Sequence, residues 1–165
     1  MFAKYLAVFT SMLLSLAPSQ VIAEQGNSSK LVVQHAKIRQ FLPAATSTAA
    51  YFSLMNHSPQ TRILQKATIS GLGRVEIHEH VHSDTMMRMQ KVQELTISPH
   101  QTISFQPGGY HLMAFEPAGE LRKGGKLTLT LYFANGEQLE SPIKVVSLQE
   151  EMGKQENSHS EHKHH

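Results

Sequence analysis

The chain has 165 residues, enough for one ordinary domain with short tails. It contains no Cys and no Trp, which excludes disulfide frameworks, zinc fingers, thiol nucleophiles and blue-copper sites. A net charge of +2 argues against a nucleic-acid partner, and 40% hydrophobic with 17% charged residues is typical of a globular protein. Two residue types that bind soft or borderline metals are numerous, with 11 His and 8 Met.

The first 23 residues have the features of a secretory signal peptide. Lys4 is their only charge, a mostly apolar run extends from Tyr5 to Leu16, and Val21-Ile22-Ala23 suits cleavage before Glu24. A membrane anchor is the alternative, but the run is shorter than the roughly 20 residues that a membrane span needs. Since no Cys follows the run, we expect no lipid anchor. The mature protein is expected in the periplasm, without a membrane span.

Residues 24–148 are predicted to form one domain built of β-strands. Segments rich in β-branched and aromatic residues predict strands at Leu31–Ile38, Thr48–Met55, Thr61–Thr68, Arg74–Val81, Met86–Val92, Glu94–Ile97, Thr102–Phe105, Tyr110–Phe115, Lys126–Phe133 and Gln138–Val146. Asn135-Gly136 predicts a hairpin between the last two, and a short helical turn is expected at Leu42–Thr48. About nine short strands, roughly ten residues apart, indicate an all-β sandwich or barrel.

The C-terminal segment, residues 149–165, differs from the domain in composition. It has no Leu, Ile, Val or aromatic residue, so it cannot bury an apolar face, and we expect a disordered tail. Its imidazoles are candidate metal ligands, at His159, His162, His164 and His165.

Pairs of His and Met at strand spacing are the candidate functional residues of the domain. Residues i and i+2 of a strand point to the same side, so each pair presents two donors together. The pairs are His78 with His80, Met87 with Met89, and His111 with Met113. A hairpin between the first two pairs would bring His78 close to Met89.

A site of two imidazoles and two thioethers favours a particular metal. Thioether sulfur is soft and uncharged, and it selects Cu(I) over Zn²⁺. Outside the cytoplasm paired Cys would tend to form disulfides, whereas Met does not. Any single Met here could instead pack in the core, and any single His on an exposed strand could simply be solvated. The combination of pairs in an exported chain without Cys is what points to copper.

The spacing of these residues resembles a known family. His78-x10-Met89-x21-His111-x-Met113 matches the H-x10-M-x21-H-x-M pattern of the periplasmic copper chaperones called PCu(A)C. The flanking blocks Val75-Glu76-Ile77-His78-Glu79-His80 and Pro107-Gly108-Gly109-Tyr110-His111-Leu112-Met113 are similar too. The resemblance extends over residues 38–146. The chain departs from the family after Arg39, where it is less rich in Pro, and at His100, where a small residue is commoner.

The resemblance implies a cupredoxin-like β-sandwich that binds one Cu(I) through His78, Met89, His111 and Met113. It implies copper delivery to cytochrome oxidase assembly, namely to the dinuclear centre of cytochrome c oxidase subunit II or to another assembly chaperone. Some members carry His-rich extensions that bind Cu(II), as the tail here would. Further donors near the motif, with which ligands could exchange, are His80, His82, Met86 and Met87. A monomer is expected.

Three other functions remain open on the residues alone. A copper-buffering protein without a dedicated acceptor is the main alternative, and it predicts copper sensitivity with normal oxidase activity in a deletion strain. An interaction module that binds through a strand edge is the second. An enzyme is disfavoured, because the chain has no Cys and no Gly-x-Ser-x-Gly nucleophile motif, and Asp84 is its only Asp.

Overall fold

The computed structural model describes residues 30–83 and 86–150, with the side chains of residues 82, 83 and 87 outside that description. The predicted signal peptide and most of the predicted His-rich tail therefore lie outside the described residues. Within the described ranges, no helix has the length and apolar character needed to cross a membrane.

Over the described residues the fold is all-β, as the sequence predicts, with ten strands rather than about nine. They are β1 (Leu31–Arg39), β2 (Ser47–Asn56), β3 (Arg62–Ile69), β4 (Leu72–Ser83), β5 (Met86–Lys91), β6 (Leu95–Ile97), β7 (Thr102–Phe105), β8 (Tyr110–Pro117), β9 (Lys126–Phe133) and β10 (Gln138–Val146). Each segment predicted from residue composition became a strand, so the estimate of nine was one too low.

The ten strands form one sheet that folds over into two layers. Its order is β5-β4-β8-β7-β2-β1-β10-β9-β3-β6, and β2 also pairs with β8. β3 and β4 follow each other in the chain but lie far apart in this order, so the turn at Gly71 carries the chain between layers. Both layers contribute to one apolar core, where Phe52 and Phe105 stack with their ring centroids 4.1 Å apart. The two packed layers confirm the predicted cupredoxin-like β-sandwich.

Of two turns predicted from the sequence, one forms in the structure and the other does not. The predicted hairpin between β9 and β10 forms, with Gly136 in the left-handed region at φ 83° and its N–H donating to the carbonyl of Phe133. The helical turn predicted at Leu42–Thr48 is wrong. Ala44 has φ 62°, which a right-handed helix cannot include, and β2 already begins at Ser47. Only a tight turn remains, closed by the Ala45 N–H on the Leu42 carbonyl.

The end of the domain contains a reciprocal pair of hydrogen bonds. The Glu150 N–H donates to Ser147 Oγ at 3.3 Å, and the Ser147 N–H donates to the Glu150 carboxylate at 3.3 Å. This is the capping box of a helix N-terminus, and residues 148–150 are helical. The described beginning of the predicted tail is therefore ordered by its own polar side chains.

The backbone conformation of His100 predicts that replacing this residue with Gly stabilises the fold. Ser98-Pro99-His100-Gln101 is a tight turn, closed by the Gln101 N–H on the Ser98 carbonyl, and His100 has φ 58°. A side chain there is strained, whereas Gly is not. We expect His100→Gly to raise the free energy of unfolding by about 0.5 kcal/mol, after allowing for the extra freedom of Gly in the unfolded chain. The same change at exposed His57, which lacks a positive φ, should lower it; urea denaturation of both variants measures the two signs.

Candidate metal centre

The candidate residues come together on three adjacent strands at one end of the sheet, β5, β4 and β8. The β4–β8 register places His78 directly opposite His111 and Glu76 opposite Met113. The β4–β5 register places His80 opposite Met89. Directly opposite residues of an antiparallel pair share a face, with Cβ atoms about 5 Å apart. These six residues form what we call the outer His/Met face.

The outer His/Met face points away from the apolar core. The residues between its members on β4 and β8, among them Ile77, Leu112 and Ala114, are 3%, 0% and 0% exposed and pack in the core. Strand alternation therefore places the donors on the other side of the sheet.

Three imidazoles cluster on this face. The ring centroids of His80 and His111 are 4.9 Å apart and the rings are stacked, while His78 and His111 are 5.9 Å apart and tilted. His111 is only 4% exposed, although it lies on the outer side of the sheet. The cluster is therefore shielded from water at its centre.

The ring orientation of His111 is fixed by its own turn. Its Nδ1 lies 3.1 Å from the carbonyl oxygen of Gly109, and since a carbonyl only accepts, Nδ1 carries the proton. Burial lowers the pKa of His111 below its ordinary value, and the neighbouring His80 and His78 lower it further. The ring is therefore neutral at physiological pH, and its Nε2 keeps a free lone pair.

Glu76 orients the ring of His78 in a similar way. The Glu76 carboxylate lies 2.9 Å from His78 Nε2, so the donor of this bond is Nε2–H. The same carboxylate accepts hydrogen bonds from Lys91 at 3.0 Å and from Arg74 at 2.9 Å. The bond from His78, followed by that from Lys91, lowers the pKa of Glu76 to about 2. The carboxylate is therefore ionised, and in the neutral ring the lone pair belongs to Nδ1. Carboxylate–His pairs of this kind commonly fix the tautomer of metal-binding imidazoles.

Two ring nitrogens of the cluster have no partner. Nδ1 of His78 and Nδ1 of His80 are buried and make no hydrogen bond to any residue that the structure describes. Leaving a buried polar nitrogen unpaired costs about 1–3 kcal/mol, and such atoms are rare in folded proteins. A bond to a metal ion would satisfy either of them.

The two thioethers differ in exposure. Met89 is 50% exposed on the edge strand β5, and Met113 is partly buried on β8 between Glu76 on β4 and Ala49 on β2. Met113 also lies diagonally from His78, within reach of a long side chain. In residues 30–83 and 86–150, no three His, Asp or Glu side chains are placed to hold a metal ion together.

The register refines the pairing expected from the sequence. The hairpin was predicted to bring His78 close to Met89, but Met89 lies opposite His80, and His78 lies opposite Lys91. The sequence motif predicts no separate role for Glu76, but in the structure its carboxylate orients the ring of His78. The i, i+2 spacing of Glu76 and His78 on one strand was the signal that could have identified it. The side chains of His82 and Met87, and the tail residues from His159 to His165, lie outside the described residues.

Known proteins resemble this chain in sequence and in fold. A protein of Leifsonia xyli subsp. xyli, named "Putative lipoprotein Lxx21020", is 31% identical over 99 residues, which are 59% of this chain and 58% of that protein. The chain spans under three fifths of the length of the curated relatives that it matches.

Two solved structures have a similar fold. The solution structure of Cu(I)-bound DR1885 from Deinococcus radiodurans is 28% identical, with a TM-score of 0.59 over 75% of this chain and 85% of that one. The apo PCuAC domain of PmoF1 is 19% identical, with a TM-score of 0.60 over 72% and 94%. The second likeness bears on fold alone.

A family model described as "Putative lipoprotein LpqE-like" matches residues 31–145, from the start of β1 to the last but one residue of β10. That match includes all ten strands but for Val146, and all six residues of the outer His/Met face. The chain therefore belongs to the LpqE-like family, and its fold is that of the PCuAC domains.

Proposed function

We propose that this protein is an extracytoplasmic copper chaperone that binds one Cu(I) through His78, Met89, His111 and Met113. The observation that carries the proposal is the cluster of imidazoles with buried nitrogens that have no partner among the described residues, flanked on the same face by two thioethers. The fold shared with the Cu(I)-bound form of DR1885 supports copper as the cargo.

The chemistry of the four donors fits a carrier. Two thioethers and two neutral imidazoles are soft or borderline and bring no charge, so they favour Cu(I) over Zn²⁺. None of them forms a disulfide in an oxidising compartment. The ion keeps its full charge at the site, and an acceptor that offers thiolates can therefore bind it more strongly and remove it. A four-donor site leaves no position open for a substrate, so we propose a carrier and not an enzyme.

Delivery to oxidase assembly is the finer part of the proposal. The acceptor would be the dinuclear centre of cytochrome c oxidase subunit II or another assembly chaperone, with buffering of copper as the competing function. Mixing the Cu(I)-loaded chain with the soluble domain of subunit II should generate the visible absorption of the dinuclear centre once oxidised. Tight Cu(I) binding without any transfer to subunit II or to a thiolate chaperone would favour buffering instead.

Export is the expected route to that compartment. We propose cleavage of residues 1–23 as a signal peptide and a periplasmic location, and the lipoprotein description of the matched family supports a place outside the cytoplasm. N-terminal sequencing of the secreted protein tests the cleavage before Glu24.

The role of Glu76 predicts an effect on affinity. Glu76→Gln keeps the shape of the side chain but lets its amide replace the carboxylate that accepts the His78 proton. We expect Cu(I) affinity to fall about tenfold, the low end of the effect of losing such a partner. Glu79→Gln, three residues along β4 and therefore on the opposite face, is the matched control. Equal affinities in anaerobic competition titrations of the two variants would remove Glu76 from the site.

The His-rich tail is proposed to bind Cu(II) through His159, His162, His164 and His165. Truncation should follow Glu150, because Glu150 pairs with Ser147 and with Lys123 and completes the cap. We expect the truncated chain to lose Cu(II) equivalents while its Cu(I) affinity stays within about twofold of the full chain. Isothermal titration with each ion measures both, and a loss of Cu(I) binding would refute the separation of the two sites.

A further inference from the structure

We propose that His80 and Met89 form a second, outer copper position, and that Cu(I) leaves the protein through it. The inference rests on the proposed function, since it assumes that Cu(I) is first held by His78, Met89, His111 and Met113. It adds a residue outside those four and a direction of transfer.

The register makes His80 the nearest imidazole to Met89. The two residues are directly opposite on β4 and β5, whereas His78 lies opposite Lys91 and is only diagonal to Met89. His80 also stacks on His111 at 4.9 Å, so it adjoins the centre of the cluster. The thioether of Met89, a proposed ligand of the inner site, is therefore closer to the imidazole of His80 than to that of His78.

The unpartnered nitrogen of His80 indicates a ligand role. Nδ1 of His80 is buried and, among the described residues, has no hydrogen-bond partner, as is true of His78. Within the same part of the chain no carboxylate is hydrogen-bonded to His80, whereas Glu76 fixes His78 in one orientation. The difference suits a fixed resident ligand in His78 and a freer, transient ligand in His80.

The two imidazoles act in turn. No three His, Asp or Glu side chains of the described ranges converge on one ion, so His78, His80 and His111 do not form a three-imidazole site together. In the exchange, the bond from copper to His78 breaks as a nitrogen lone pair of His80 forms a bond to copper, while Met89 stays bound. Copper remains Cu(I), and the step needs no electron and no net transfer of a proton.

Exposure gives the step its direction. His111, at the centre of the cluster, is 4% exposed, whereas Met89 is 50% exposed on an edge strand. Val81 and Met86, on the other face of the same hairpin, are also exposed, at 37% and 62%, so both faces of the hairpin are open there. His78 lies opposite His111, whereas the last β4–β8 pair is Glu79 with Tyr110, so His80 lies past that pairing. Moving from His78 to His80 therefore brings the ion toward the exposed part of the hairpin.

The test compares the affinity for Cu(I) with the rate of its release in His80→Ala. Affinity comes from anaerobic competition titration, and the rate from stopped-flow transfer of one Cu(I) equivalent to excess chromogenic chelator. We expect the dissociation constant to stay within about threefold of wild type, while transfer slows at least about fivefold. His80→Met, which supplies another soft donor, should restore most of the rate. His57→Ala, at an exposed position between β2 and β3, is the control and should change neither quantity.

Each other outcome has a distinct meaning. Transfer at the wild-type rate in His80→Ala, with the native amide spectrum by NMR, would overturn the outer position and leave the chaperone function intact. A loss of affinity in His80→Ala as large as in His78→Ala would make His80 a resident ligand and also overturn it. Absence of tight Cu(I) binding in the wild-type chain would remove both the proposed function and the inference.

Discussion

Replacing Met89 and His111 together with alanine should lower the Cu(I) affinity of the chain at least about 100-fold. The double variant removes one thioether and the most buried imidazole of the cluster, from two different strands. The remaining His78 and Met113 would leave the soft ion with half of its donors. The measurement is an anaerobic titration against a chromogenic Cu(I) chelator.

Met86→Ala is the matched control for the thioether. Met86 lies on the same strand and is 62% exposed, but strand alternation turns it to the face opposite that of Met89. We expect its affinity to match that of wild type. Met89→Ala alone should already weaken Cu(I) binding, since it removes one thioether. The fold should stay intact, because the exposed Met89 side chain contributes little to the core. Equal and weak Cu(I) binding in wild type and the double variant would mean that the outer His/Met face does not hold copper.

Asn56→Ala should lower the free energy of unfolding by about 3 kcal/mol. Asn56 is 1% exposed at the end of β2. Its amide Nδ2 donates to the carbonyls of Gln60, Ile97 and Ser98 at 2.8, 3.2 and 3.1 Å, and its Oδ1 accepts from Ser58 N–H and Oγ at 3.0 and 2.7 Å. Alanine leaves several of these buried groups unpaired, and urea denaturation at constant m-value gives the difference.

Two other variants separate this network from a general sensitivity to mutation. Ser58→Ala removes the hydroxyl that donates a hydrogen bond to Asn56 Oδ1, and we expect the free energy of unfolding to fall by about 1 kcal/mol. Asn135→Ala changes an exposed Asn whose side chain accepts from the turn N–H of Glu137 and donates to the Glu137 carboxylate. Because these bonds are exposed, we expect the free energy of unfolding to fall by less than about 1 kcal/mol. If Asn56→Ala unfolds within about 0.5 kcal/mol of wild type, the side-chain network does not stabilise the join between β2 and β6.

The strands were predictable because their local patterns agree with the sheet. β7, β9 and β10 have the predicted bounds, and the other strands differ by at most two residues at either end. Asn135-Gly136 formed its hairpin because that dipeptide suits the turn by its own backbone preferences. The error at Leu42–Thr48 came from a segment without a strong local preference, where Ala44 adopts a positive φ that no sequence rule assigns to Ala.

The candidate site was predictable as a set of residue types and not as an arrangement. The spacing from His78 to Met113 marks four donors, and strand alternation alone puts His111 and Met113 on one face. Alternation does not say which residue of one strand lies opposite which residue of another. A shift of the β4–β5 register by two residues would keep every face the same and bring His78, not His80, opposite Met89.

The sequence by itself determined the all-β fold, the faces of the strands and the donors that a soft metal would need. It did so because these depend on residue type and on the two-residue period of a strand. The tertiary structure alone decided that His80 lies beside Met89, that Glu76 orients His78, and that His111 is buried on the outer side of the sheet. Those features arise from contacts between strands distant in the chain, whose register is set by the packing of the whole sheet.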